Sequence, residues 1–200
     1  YEYDLLNRLV KVWASGAGTD NKIFVAEYSY DAENYRVKKD SVEQGVTYYI
    51  FGLNGEVMYE EKEDDYSEYI FVMGKHFARV DGKTSGDGSE RETYYYALDH
   101  LGSTVMITNG LGEVIWQDEM TPFGESSGEV GVEHYQAKFT GKDWDEEIGL
   151  YYFNARWYDP GIGRFITMDP VRDGVNWFVY CVNNPLVFVD PFGLKHYRRP

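Results

Sequence analysis

At 200 residues, with 34 acidic against 19 basic side chains, the chain carries a formal charge of −15. That argues against a nucleic-acid binder, which must neutralise phosphates, and against docking on an anionic membrane surface. A hydrophobic fraction of 43% suits a folded core, and 19 tyrosines with 21 glycines bias it towards strands joined by many turns.

The first half repeats itself. "YEYDLLNRLVKV" at 1–12 is matched by "YSYDAENYRVKK" at 28–39, with weaker echoes in "YYIFGLNGEVMYEE" at 48–61 and "YIFVMGKHFARVDG" at 69–82. A recurring unit of this size signals a repeat architecture. Each unit runs from alternating aromatics through a polar turn to alternating aliphatics. Tyr1 and Tyr3 share one face, Asp4 to Asn7 turn the chain, and Val10 and Val12 share a face on the return. "LNG" at 53–55 is a hairpin signal. Residues 1–93 read as a string of β-hairpins.

The polar stretch "DGKTSGDGSERE" at 81–92 reads as a long hairpin tip. Gly82-Lys83-Thr84 is no phosphate loop, because Phe77 stands where the earlier glycine is required. From residue 94 the texture changes. Another hairpin turns at Asn109 to Gly112. Asp99, His100 and Ser103 mimic a catalytic triad, but neighbours on a strand alternate faces and do not converge. The acidic run "GKDWDEEIG" at 141–149 reads as a solvated turn. Cys181, the one cysteine, rules out an internal disulfide or a cysteine zinc cluster, and its apolar run "WFVYCVNNP" makes it a packed core thiol. His76, His100, His134 and His196 form no ligand spacing. No cofactor or metal is implied, and no stretch approaches the length of a membrane span.

The close of the chain is "NNPLVFVDPFGLKHYRRP". Val187 to Val189 read as a short buried strand, broken by Pro191 and Gly193. Lys195 to Pro200 have no period and read as the stub of something removed. The opening "YEYD" lacks an initiator Met and starts inside a motif. That reads as a fragment, so a missing targeting signal says nothing.

"YYYALDHLGSTVMITNGLGEVIWQDEMTPFGE", "FTGKDWDEEIGLYYFNARWYDPGIGRF", the Asp-Pro at 169–170 and "NNPLVFVDPFGL" together resemble the Rhs-repeat-associated core domain. The upstream units resemble the YD repeats that precede it. The resemblance runs from Tyr1 to Leu194. It implies an all-β fold in which YD-repeat hairpins (1–93) form part of a spiralling β-sheet shell, closed by the core domain (94–194). Residues 195–200 would then begin a variable toxin region. It also implies a secreted or cell-surface bacterial protein whose partners are its own encapsulated toxin, the remainder of the shell and a secretion machinery. In this family the core cuts its own chain after the Leu of DPxGL by an aspartyl-type mechanism, which places the cut between Leu194 and Lys195. Asp169 and Asp190 match the two family carboxylates, and Arg156 of "NARWYDP" matches an arginine beside them. Thr167-Met168 and Val171-Arg172-Asp173 depart from the family pattern, and Asp173 adds a carboxylate near the expected site. Animal teneurins share the shell and use it for adhesion.

That assignment is chemically sensible. Two carboxylates held close share one proton, so one can take a proton from water while the other donates to the amide. Asp169 and Asp190 are separated by strand-like segments and a turn at Asn183-Asn184-Pro185, enough chain for a hairpin to unite them. Without the family, Asp before Pro is a turn opener, and Arg156 a surface or salt-bridge residue. Asp159 keeps that role. A non-catalytic YD-repeat scaffold or adhesion module, and a sugar-binding aromatic surface, are the competing readings. The acidic charge fits plain solubility or a container wall facing a basic guest.

Overall fold

The computed structural model describes residues 1–15, 21–85, 88, 90–131, 137–172 and 174–198. Asp173, His134 and part of the 81–92 tip lie outside them. Wherever the sequence alternates around a polar turn, a hairpin forms. Among the described residues, twelve strands make one antiparallel sheet in which each strand pairs with its sequence neighbours. They are β1 (Glu2–Tyr3), β2 (Leu9–Ser15), β3 (Lys22–Tyr30), β4 (Arg36–Ser41), β5 (Gly45–Phe51) and β6 (Val57–Lys62). β7 (Asp65–Val72), β8 (Lys75–Lys83), β9 (Glu92–Leu98), β10 (Thr104–Asn109), β11 (Val114–Gln117) and β12 (Val130–Gly131) continue it. β9 straddles residues 93 and 94, so the sheet runs unbroken through the change of texture.

The repeated Asp sets the turns. Asp4 Oδ1 accepts the N–H groups of Leu6 and Arg8 at 2.9 Å, and its other oxygen pairs with the Arg8 guanidinium at 2.7 Å. Asp31 accepts from Tyr35 N–H in the matching unit at 2.8 Å. The carboxylate replaces a backbone acceptor, which is why Asp opens the turn in these two units.

A second sheet holds β13 (Asp143–Asp145), β14 (Leu150–Phe153), β15 (Arg156–Asp159) and β16 (Arg164–Phe165). β14 is buried along its whole length. Alternation divides its side chains between two clusters. Leu150, Tyr152 and Trp157 pack with Leu9, Val12, Ala26 and Tyr28 of the large sheet. Tyr151, Phe153 and Tyr158 join Phe139, Phe165, Tyr180 and Cys181 on the other side. Cys181 is a packed thiol, as expected. The large sheet's aromatics are not all spent on the core: Tyr48, Phe77 and Tyr95 are exposed.

Three expectations need correction. The acidic run 141–149 is not a solvated turn, because β13 places Asp143 and Asp145 on one face, pointing at β4. Arg36 pairs with Asp143 at 3.1 Å, Lys39 with Asp145 at 2.9 Å, and Tyr28 donates to Asp145 at 2.8 Å. Arg36, 1% exposed, also stacks on Tyr49. Second, among the described residues no hairpin joins Asp169 to Asp190. The connection is irregular, with a 3-10 turn at Cys181–Asn183 in left-handed backbone. Third, the strand near the end is only β17 (Phe188–Val189). It is half-buried, and Tyr197–Arg198 (β18) of the expected stub pairs with it.

Glu60 on β6 faces this charged layer. Burial, with Asp143 adding to it, pushes its carboxyl up to about 7, against the Tyr69 hydroxyl that donates to it at 2.8 Å and the Arg79 and Arg36 guanidiniums. A carboxyl raised in the fold contributes stability that is full below its unfolded value and is lost as pH rises through the folded one. Stability is therefore expected to fall by about 2 kcal/mol from this group between pH 4.5 and 7. Denaturant midpoints of Glu60→Gln against wild type should diverge across that window; parallel curves would exclude the effect.

Candidate active site

Arg156 is placed by β15, where it faces Phe153 across the β14–β15 hairpin. Its guanidinium lies on the Phe165 ring, 3.6 Å from the centroid, and it is 4% exposed. It is therefore not a surface residue, and three acceptors take its N–H groups. Nε donates to the Gly193 carbonyl at 2.5 Å, one terminal nitrogen to the Trp177 carbonyl at 3.0 Å and the other to Asp190 Oδ2 at 3.2 Å. Burial lowers the Arg156 pKa from its usual value, while Asp190 and Asp169 pull it back up.

The DPFGL loop closes over this arginine. Gly193 has φ +66, and a Cβ there would stand 2.7 Å from the Phe153 carbonyl, so glycine is required by both conformation and space. Phe192 O accepts the Ala155 N–H at 3.1 Å, which ties the loop to the β14–β15 turn. Within the loop, Asp190 Oδ1 accepts the N–H of Leu194 at 3.0 Å and of Lys195 at 3.2 Å. The second of these nitrogens belongs to the Leu194–Lys195 peptide bond. Asp190 thus holds three N–H donors, a set that an acceptor-only carboxylate satisfies.

Asp169 enters from the irregular segment. Its N–H donates to the Trp177 carbonyl at 2.9 Å, the same oxygen that Arg156 uses, and its Oδ1 accepts from Val171 N–H at 2.8 Å. Both aspartates are buried, and with Arg156, Leu194 and Lys195 they line one cavity of about 390 Å³. All five residues singled out in the sequence meet there. Cys181 and His196 line it too. Neither was foreseen as part of a site, and no local pattern marks either one.

The remaining candidates stay apart. Asp99 accepts the Ser103 N–H within its turn, and the Ser103 hydroxyl accepts from the distant Thr140 N–H. Lys83 pairs with Asp65. Asp159 accepts from Gly161 N–H as a turn former. Among the described residues no group of His, Cys, Asp or Glu is arranged to hold a metal ion, and no helix is long and apolar enough to cross a membrane.

The family model of the Teneurin YD-shell matches residues 87–179. Salivary gland surface protein 1 of Aedes aegypti is 31% identical over 207 residues, covering 96% of this chain and 6% of its own length. The toxin subunit YenC1 of Yersinia entomophaga is 29% identical over 187 residues, covering 84% of this chain and 19% of its own. The chain therefore spans a small part of these relatives. Among solved structures, TcdB2-TccC3 superposes with a TM-score of 0.76 at 22% identity, over 96% of this chain and 10% of that one. At that identity the likeness speaks for the fold.

Proposed function

We propose that this chain, which belongs with the YD-shell proteins of the Rhs and Tc toxin family, closes a shell around a toxin domain and cuts itself after Leu194. Residues 1–93 would supply shell wall, 94–194 the closing core, and Lys195 onward the beginning of the cargo. The whole protein would be exported from a bacterium, with the enclosed toxin and the rest of the shell as its partners.

The observation that carries this reading is the bond from Lys195 N–H to Asp190 Oδ1 at 3.2 Å. It holds the Leu194–Lys195 peptide at the cavity that Asp190 and Asp169 both line. Asp190, held by Arg156 and two backbone N–H groups, is the carboxylate that takes a proton from water. The water oxygen bonds to the Leu194 carbonyl carbon. Asp169, which lines the same cavity, acts as the acid and gives a proton to the Lys195 nitrogen as the C–N bond breaks. Arg156 holds Asp190 and the Gly193 carbonyl in register. Because the bond is tethered beside its own catalyst, a single turnover needs no substrate binding.

The test is the intact mass of freshly prepared chain beside Asp169→Asn. A product ending at Leu194, absent from the variant, is the expected result. A single uncut species in both would favour the scaffold reading, in which these aspartates only shape turns as Asp4 and Asp31 do.

A further inference from the structure

A second cavity, of about 370 Å³, is walled by Phe51, Phe71, Tyr152 and Phe192 and carries Lys142 and Asn154 on its lining. Three more lining residues bring buried polar atoms with no hydrogen-bond partner into it: Glu56 Oε2, His76 Nδ1 and Thr140 Oγ1. Buried polar groups in a folded chain are nearly always satisfied, so this concentration around one lysine invites a chemical explanation.

Lys142 Nζ lies 3.0 Å from Asn154 Oδ1 and 5.7 Å from the centre of the Phe153 ring. Its partner is a neutral carboxamide. Burial brings its amine down to about 8, although Asp143, Asp190 and Glu56 act in the other direction. The free amine, a competent nucleophile, is thus well populated at mildly alkaline pH. The carboxamide is held as well. Asn154 is 8% exposed, sits at φ +59, and donates from Nδ2 to the Gly55 carbonyl at 2.8 Å. A fixed amine, a fixed acyl carbon, aromatic walls and a spare carboxyl oxygen are the requirements for an intramolecular acyl transfer.

We propose that Lys142 and Asn154 condense into an isopeptide bond that staples the segment before β13 to the β14–β15 turn. The Nζ lone pair bonds to Asn154 Cγ, and the Cγ–Nδ2 bond breaks. Glu56 carries a proton from Nζ to the departing nitrogen, which leaves as ammonia. No oxidant or cofactor enters the balance. Self-cleavage after Leu194 is not needed for this step, so the two readings stand or fall separately.

The experiment is a tryptic map of the purified chain after incubation at pH 8 and 9, with circular dichroism to establish that it is folded. Acylation of Lys142 blocks trypsin there. The expected product is one peptide spanning residues 139–156, lighter by one ammonia than the same peptide unmodified. Glu56→Gln should slow its appearance by roughly 10²-fold, and Asn154→Ala should abolish it. Separate 139–142 and 143–156 peptides at full mass, from folded wild-type chain, would overturn the proposal. So would loss of ammonia confined to the peptide holding Asn54 and Gly55, where a succinimide can form.

Discussion

Asp190→Asn is expected to leave the Leu194–Lys195 bond intact on any practical timescale. Losing one partner of an acid–base pair slows such a step by about 10²- to 10⁴-fold. The substitution is informative because much of the loop's geometry survives it. The carboxamide oxygen can still accept the Leu194 and Lys195 N–H groups that Asp190 Oδ1 now holds. Its NH2, however, would face the Arg156 guanidinium where Oδ2 now accepts. Two donors opposed in a buried place cost about 1–3 kcal/mol, so the variant should also melt earlier than wild type. Intact mass over several days and a denaturant titration read the two effects separately. A Leu194-terminated product forming at the wild-type rate would remove Asp190 from the chemistry, whatever its effect on stability.

Asp145→Ala is expected to be the most destabilising change outside the candidate site. Asp145, 3% exposed, receives Lys39 at 2.9 Å and Tyr28 at 2.8 Å, and Arg36 stands 4.0 Å away. Truncation leaves the Tyr28 hydroxyl without its acceptor and Lys39 with only the longer contact to Glu147 at 3.7 Å, while Arg36 keeps Asp143 at 3.1 Å. A buried polar group left short of its partner costs about 1–3 kcal/mol. The loss should loosen the contact between the two sheets in particular, since Lys39, Arg36 and Tyr28 belong to the large sheet and Asp145 to the small one. Hydrogen exchange along β4 and β13 would then rise ahead of global unfolding. A loss below about 1 kcal/mol would place the pair with ordinary exposed salt bridges. Replacing Asp145 and Lys39 together by apolar residues of similar volume should recover part of the deficit, because the desolvation of both charges is then avoided.

The hairpins of the first half were legible because their cause is local. A period of two, a polar turn and an Asp that substitutes for a backbone acceptor lie within a dozen residues. Each of the turns at Asp4, Asp31, Asn54 and Asn109 falls where that pattern puts it. The five residues of the candidate site were legible for another reason: their motifs resemble a family's, and the fold then brought them to one cavity. Chain spacing alone had suggested a hairpin between Asp169 and Asp190. What joins them is irregular chain, held where the Trp177 carbonyl accepts from both Asp169 and Arg156. No periodicity announces such a segment.

Misreading "DWDEE" has the same root. Taken locally, Glu146 and Glu147 beside Asp143 and Asp145 look like a solvated turn. The i, i+2 spacing of Asp143 and Asp145 does put them on one face of a strand, but whether that face meets water or Arg36 depends on residues more than a hundred positions away. Composition, alternation and turn chemistry thus determined an all-β chain of hairpins with a distinct closing segment. Only the tertiary structure decided which charges are buried, which carboxyl touches the Lys195 nitrogen, and that Lys142 faces Asn154. Strand and turn preferences act between near neighbours in sequence, whereas burial and charge pairing are settled by whichever distant surfaces pack together.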